Sequence, residues 1–206
     1  MARQKSLDIR ESILESATKV FARTGFYKAK AIEIARKANI AVGTIYNYFS
    51  NKDDILISIF EKRIGELNHS LRKAIREVDH PDEKLAVIID STISILQNDR
   101  ELAEVVTIEL RPSSKFFSST AISSVTEFLD IITEVIRQGQ QSGIYKADTD
   151  ARIAALVVLG SLENLIHTWV LGDKVAELKA TYDIPLEQGK EALKDLLKSG
   201  LRRETD

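Results

Sequence analysis

Residues 31–49 read Ala31-Ile32-Glu33-Ile34-Ala35-Arg36-Lys37-Ala38-Asn39-Ile40-Ala41-Val42-Gly43-Thr44-Ile45-Tyr46-Asn47-Tyr48-Phe49. Ile34, Ala35 and Ala38 form a small apolar face at helical spacing, which predicts a short helix over about 31–38. Asn39 takes the left-handed conformation at modest cost, so it marks a tight turn. Val42 and Ile45 then pack a second helix, from about 42 to 49, back at a steep angle, with Phe49 plugging into the first. The pattern is a helix-turn-helix, and its second helix suits a DNA major groove about 12 Å wide. Gly43, Thr44, Tyr46, Asn47 and Tyr48 are left facing outward. Gly43 admits close backbone approach, Thr44 and Asn47 can address base edges, and Tyr46 offers a ring and a hydroxyl. Tyr48 and Lys52, with the helix start at Ala31, are the expected phosphate contacts, and Lys30 and Val42 complete the DNA-facing set.

Charge supports this reading. The 206 residues carry 29 Lys+Arg and 31 Asp+Glu, a net −2, but the sum hides an asymmetry. Residues 1–52 hold ten basic and four acidic side chains, or +6, which leaves −8 on residues 53–206. A basic head on an acidic body points to one end meeting a polyanion.

Working outward, almost every segment reads as helix, because Gly and Pro are scarce and alternating strand patterns are absent. Ile9, Ile13, Leu14, Ala17, Val20 and Phe21 line one face of a helix that Gly25 stops. A long helix opens at Lys52 with acids in its first turn and runs to about Val78; Pro81 starts the next, which ends at Asn98. Segments over 101–110, 116–142, a helix capped by Asp148 or Thr149 and running to Leu171-Gly172, and Pro185–Leu201 follow. The expectation is an all-α chain of about nine helices, three in an N-terminal unit and six in a body.

Other chemistry finds little support. With no cysteine there is no disulfide, thiol nucleophile or cysteine metal site. His69, His80 and His167 are too far apart for a local metal motif; His69 and His80 suit the surface, and His167 is a core or pocket residue. The serine pairs near Arg111 have no base placed by spacing, and no glycine-rich phosphate loop occurs. Neither an enzyme nor a metal or other cofactor is expected. No apolar run approaches 18 residues and no signal peptide opens the chain, so a soluble cytoplasmic protein is expected. A purely structural helical adaptor is the other class, and it would lack specific DNA affinity.

The run from Ile34 through Phe49, with Asn51-Lys52-Asp53-Asp54-Ile55-Leu56, resembles the tetracycline-repressor (TetR) family of bacterial transcription regulators over about residues 9–60. Asn39 stands where that family usually has Gly and serves the same turn. The resemblance implies an all-helical homodimer whose variable body binds a small molecule and releases DNA. Residues 1–50 would then be the DNA-binding domain and 51–206 the effector-binding and dimerisation domain. Lys52–Phe60, Thr107-Ile108-Glu109-Leu110-Arg111 and Thr168-Trp169-Val170 are similar to the fatty-acid-degradation repressors of that family, which implies a long-chain acyl-CoA effector. The alternative is a multidrug-type regulator of an efflux gene that takes cationic or planar hydrophobes.

Helical spacing makes Ile88, Thr92, Leu96, Ala103, Val106, Leu110, Phe128, Ile132, Leu162, Ile166 and Trp169 the candidate effector lining. Arg111 is the first candidate for the CoA phosphates, with Lys115, Arg100 and Arg137 behind it. Homodimerisation is expected through the Ala151–Leu171 and Pro185–Leu201 helices. The expected contacts are Ala151, Ala154, Ala155, Val158, Leu162 and Leu165 from the first, and Leu186, Leu193, Leu196, Leu197 and Leu201 from the second.

Overall fold

Residues with positive φ mark where helices stop: Gly25 at 77°, Asn39 at 55° and Gly143 at 75°. At Asn39 the Ile40 N–H reaches the Ala35 carbonyl at 3.0 Å and the Asn39 N–H reaches that of Arg36 at 3.2 Å. That is the paired closure of a Schellman ending, with asparagine in the left-handed position. The computed structural model describes residues 2–109, 121–182 and 185–203. Among them the chain is all-α, with ten α-helices and one π-helical turn. These are α1 (Ala2–Thr24), α2 (Ala31–Lys37), α3 (Val42–Tyr46), α4 (Lys52–Ala74), α5 (Pro81–Asn98), α6 (Arg100–Glu104) with the π turn Val105–Glu109, α7 (Ala121–Gln141), α8 (Ala151–Gly172), α9 (Ala176–Tyr182) and α10 (Leu186–Leu201).

The helices fall into two compact units, Met1–Arg63 with Asp99–Ile122, and Ile64–Asn98 with Ser123–Asp206. In the first, Ile13, Ala17 and Phe21 of α1 are buried together with Ile34, Ile45, Phe49, Ile55 and Leu56. α6 and the π turn also pack against α1, and they bury Leu102, Ala103 and Val105. In the second, Leu71, Ile88, Ile89, Phe128, Ile132, Val135 and Val158 form the centre of the core. Asn68, itself buried, donates to the Ser124 carbonyl at 2.9 Å, and Arg72 pairs with Glu127 at 2.9 Å. The Arg72 guanidinium holds the Glu127 carboxyl below its ordinary range.

Several boundaries differ from the sequence expectation. α4 stops at Ala74 rather than Val78, because Arg76 and Glu77 donate three residues back and tighten the last turn. α8 is capped by Asp150, not Asp148 or Thr149; its Oδ1 accepts from the Arg152 N–H at 2.8 Å and from the Ile153 N–H at 3.4 Å. That backbone hydrogen bond, with the Arg152 side chain, keeps the Asp150 carboxyl below the usual range. The short α9 was not anticipated. By length and composition α8 is apolar enough to cross a membrane, which the count of uninterrupted apolar residues overlooked. Its Ala154, Ala155, Val158 and Leu162 are instead buried within the protein.

The same packing corrects the expected dimer contacts. Ala151, Ala154, Ala155, Val158, Leu162, Leu186, Leu193 and Leu201 are buried in the chain's own core, while Leu165 and Leu197 pack partly against it. α8 turns Ile153, Leu156 and Val157 outward at 62, 56 and 56% exposure, and α10 exposes Leu196 at 71%. A helix apolar around its whole girth does not say which stripe faces inward. Here the alanines do, since α5 and α10 both pack against α8.

Candidate DNA interface and effector site

α2 and α3 present the expected DNA-facing residues in different degrees. Gly43, Tyr46 and Asn47 are exposed, Val42, Thr44 and Tyr48 are half-buried, and Ile45 is buried as their anchor. α3 is shorter than expected: it ends at Tyr46, Asn47 is its C-cap and forms a turn with Tyr48, and Phe49 follows that turn. Arg10 lies over the Phe49 ring at 5.1 Å and fixes that turn from α1. A Cβ on Gly43 would meet nothing within 4 Å, so no packing within the protein demands glycine there. An open backbone on the outward face of α3 is the property that close approach to a duplex requires.

At the start of α2, Ala31 is half-buried and Lys30 is exposed. The Lys30 N–H donates to Glu33 Oε2 at 3.1 Å, so the first turn of α2 is closed by its own glutamate. Arg36 and Lys37 on α2, and Lys28 in the loop before it, are exposed cations.

Lys52 is not the free phosphate contact its sequence position suggests. Its ammonium donates to the carbonyls of Phe26 at 2.5 Å, Ala29 at 3.1 Å and Tyr27 at 3.2 Å, and lies 4.5 Å from the centre of the Phe26 ring. An ammonium has three N–H groups, and all three are committed to the α1–α2 loop. Sequence reasoning missed this role because the partners are main-chain oxygens 23 to 26 residues away. It also missed Tyr27, which stands 76% exposed beside Lys28 on the loop that Lys52 holds.

The expected effector lining divides. Ala103 is buried and Val106 half-buried in the first unit, on the segment that packs against α1. Ile88, Phe128, Ile132 and Leu162 belong to the close-packed core of the second unit, with Thr92 and Ile166 also buried. Thr92 satisfies its hydroxyl on the Ile88 carbonyl at 2.7 Å. Leu96 and Trp169 are half-buried. Leu110, Arg111 and Lys115 lie outside the described residues. Of the other cations considered, Arg100 pairs with Glu104 at 3.7 Å and Arg137 is exposed. His69 is exposed, His80 and His167 are half-buried, and among the described residues no group of His, Asp and Glu could hold a metal ion.

Trp169 reaches a cavity of about 380 Å³ within the second unit. α8 supplies Asn164, Leu165, Thr168 and Trp169, α9 supplies Leu178, and Pro185, Leu186 and Gly189 close it at the start of α10. Leu165, expected at a dimer interface, is thus a cavity wall.

Residues 13–59 match the family of bacterial regulatory proteins of the tetR type, and residues 60–187 match the YsiA-like C-terminal region. The chain belongs to the TetR family. This TetR regulator is 34% identical to the fatty acid metabolism regulator protein of Bacillus subtilis over 175 residues, which cover 85% of this chain and 90% of that one. It is also similar to the crystal structure of the transcriptional regulator FadR from Bacillus subtilis in complex with stearoyl-CoA. That match has a TM-score of 0.83 and 32% identity, and covers 92% of this chain and 98% of the other. The fatty acid degradation regulator FadR from Bacillus halodurans matches with a TM-score of 0.79 and 30% identity, covering 93% and 99%. As a TetR regulator the chain is a DNA-binding transcription factor and not an enzyme.

Proposed function

We propose that this chain is a repressor that binds a near-palindromic operator as a homodimer and leaves it when a long-chain acyl-CoA binds, so that it controls fatty-acid metabolism from the cytoplasm. The observation that carries the effector reading is the likeness, over nearly the whole chain, to the regulator whose crystal structure contains stearoyl-CoA. Thr44 and Asn47 set base preference in this reading, at about 1–3 kcal/mol for each well-made contact. Ala103 and Val106 support the coupling. They belong to the α6–π segment that packs on α1, the first helix of the DNA-binding unit, so an effector touching them acts directly on that unit. π-helical turns recur at functional sites, and Thr107 stabilises this one by donating to the Ala103 carbonyl at 2.6 Å.

The exposed Ile153, Leu156, Val157 and Leu196 form the apolar surface that a two-fold partner would cover. A dimer of this kind reads half-sites roughly 10 bp apart, or a multiple of that. Leu156→Arg with Leu196→Arg is expected to sediment as a monomer and to lose specific operator binding. A double variant that keeps the dimer mass would move the interface elsewhere.

The effector reading is tested by calorimetry with oleoyl-CoA, free oleate and CoA alone, each with and without operator DNA. Tight binding of the thioester alone is expected, at least 100-fold tighter to free protein than to the operator complex. That preference amounts to about 2.7 kcal/mol, which displaces the DNA. Arg111→Ala is expected to weaken it, because a body of net −8 needs a local cation for the CoA phosphates. Equal affinity in both states would end the coupling; uptake of a cationic dye with no thioester binding would put the multidrug reading in its place.

A further inference from the structure

The cavity beside Trp169 lacks, among the described residues, the cations that CoA phosphates require. Among the described residues, no side chain that lines it is ionisable. Lys179, the cation of α9, is paired with Asp173 at 3.8 Å and is not part of the lining. Leu165, Leu178, Leu186 and the Trp169 indole give apolar walls, and a volume of about 380 Å³ is within the usual range for small-molecule sites. Among these walls stand two neutral groups that both donate and accept, the Asn164 amide and the Thr168 hydroxyl.

We propose that this cavity is a binding site for a neutral amphiphile, an alkyl chain that carries one uncharged hydrogen-bonding head such as an alcohol, ester or amide. Aliphatic walls accept a flexible chain at roughly 0.8 kcal/mol per buried CH₂, and its single polar head meets the Thr168 hydroxyl. A carboxylate or phosphate head would enter without a counter-charge, which such a lining penalises. In this proposal the site is separate from that of the acyl-CoA effector, whose phosphates require cations. Gly189 keeps the cavity open. A Cβ there would stand 2.8 Å from Leu165 Cδ2, so a larger residue drives Leu165 into the space.

Trp169 is the chain's single tryptophan, so its emission reports occupancy without a label. The full-length protein is titrated with dodecan-1-ol while that emission is followed. A saturable change is expected. Thr168→Val keeps the shape and loses the hydroxyl, and is expected to weaken dodecan-1-ol by roughly fivefold to tenfold, the worth of one neutral hydrogen bond. Gly189→Val is expected to abolish the response while far-UV circular dichroism stays that of a folded helical protein. Dodecanoate at pH 8 is expected to bind at least about tenfold more weakly than the alcohol. Saturating oleoyl-CoA is expected to leave the alcohol's affinity unchanged. Absence of a saturable change, undiminished binding by Thr168→Val, preference for the carboxylate, or competition by oleoyl-CoA would each overturn the proposal. The last result would make the cavity the effector's own chain site and leave the effector reading standing.

Discussion

Gly139→Val is expected to lower the melting temperature by roughly 6–12 °C, the equivalent of about 3 kcal/mol for a chain of this size. Gly139 is in the last turn of α7, and a Cβ there would lie 2.1 Å from Cδ2 and 2.5 Å from Cε2 of Tyr145. The ring is held in that position. Gly143 closes α7 in a Schellman ending, with the Ile144 N–H on the Gly139 carbonyl at 2.9 Å and the Gly143 N–H on that of Gln140 at 3.1 Å. Tyr145 then turns back over the helix it has just left, where it is buried. Its burial pushes the phenol well above the usual tyrosine range, so it remains neutral. On either side the chain pairs with the C-terminus, Lys146 N–H to the Leu201 carbonyl at 2.8 Å and Arg203 N–H to that of Ile144 at 3.0 Å, while Arg202 pairs with Asp82 at the start of α5. Valine at 139 must expel the ring and disturb all of these contacts together. Gly65→Ala in α4, where a Cβ meets nothing within 4 Å, is the control and should gain up to about 1 kcal/mol of helix propensity. The double variant Gly139→Val/Tyr145→Ala should lose less than the sum of its parts, since the second change clears the space. A Gly139→Val protein that melts with the wild type would show that the ring moves aside freely.

What the sequence made legible follows from how local each determinant is. The helix-turn-helix was readable because Asn39 and the Ile34–Ala35–Ala38 face act within a few residues of one another. α8 shows the opposite case: an apolar girth identifies a central helix but not its inward stripe, and only packing by α5 and α10 separates Val158 from Val157. The effector lining was ambiguous for the same reason, because Ile88 or Phe128 at helical spacing serves a core and a pocket alike. The π turn was illegible as a type. Val105, Val106, Thr107 and Ile108 form a β-branched run that disfavours ordinary helix, but nothing in it specifies an i→i+5 register. α9, with seven residues, is too short to show a period.

Lys52→Met is expected to destabilise the protein by about 2–4 kcal/mol and to weaken binding to all DNA sequences alike, with the salt dependence of binding unchanged. Three carbonyls of the α1–α2 loop, those of Phe26, Tyr27 and Ala29, converge on one ammonium, and methionine offers them no donor. Hydrogen bonds to a charged group contribute about 1.5–3 kcal/mol each, and partial rehydration of this half-exposed loop brings the sum down to the range above. Loss of the cation over the Phe26 ring acts in the same direction. The loop leads directly into α2, so its release loosens the start of the helix-turn-helix and the placement of Tyr27, Lys28 and Lys30. Affinity therefore falls without a change in base preference. The salt slope separates this role from a phosphate contact, because each phosphate neutralised contributes about 0.9 to that slope. Lys28→Ala removes an exposed cation from the same loop, and it should lower the slope by about one unit with little effect on melting. If Lys52→Met instead melted with the wild type and lost one unit of slope, the ammonium would be on the DNA backbone, and the loop would hold its shape without it.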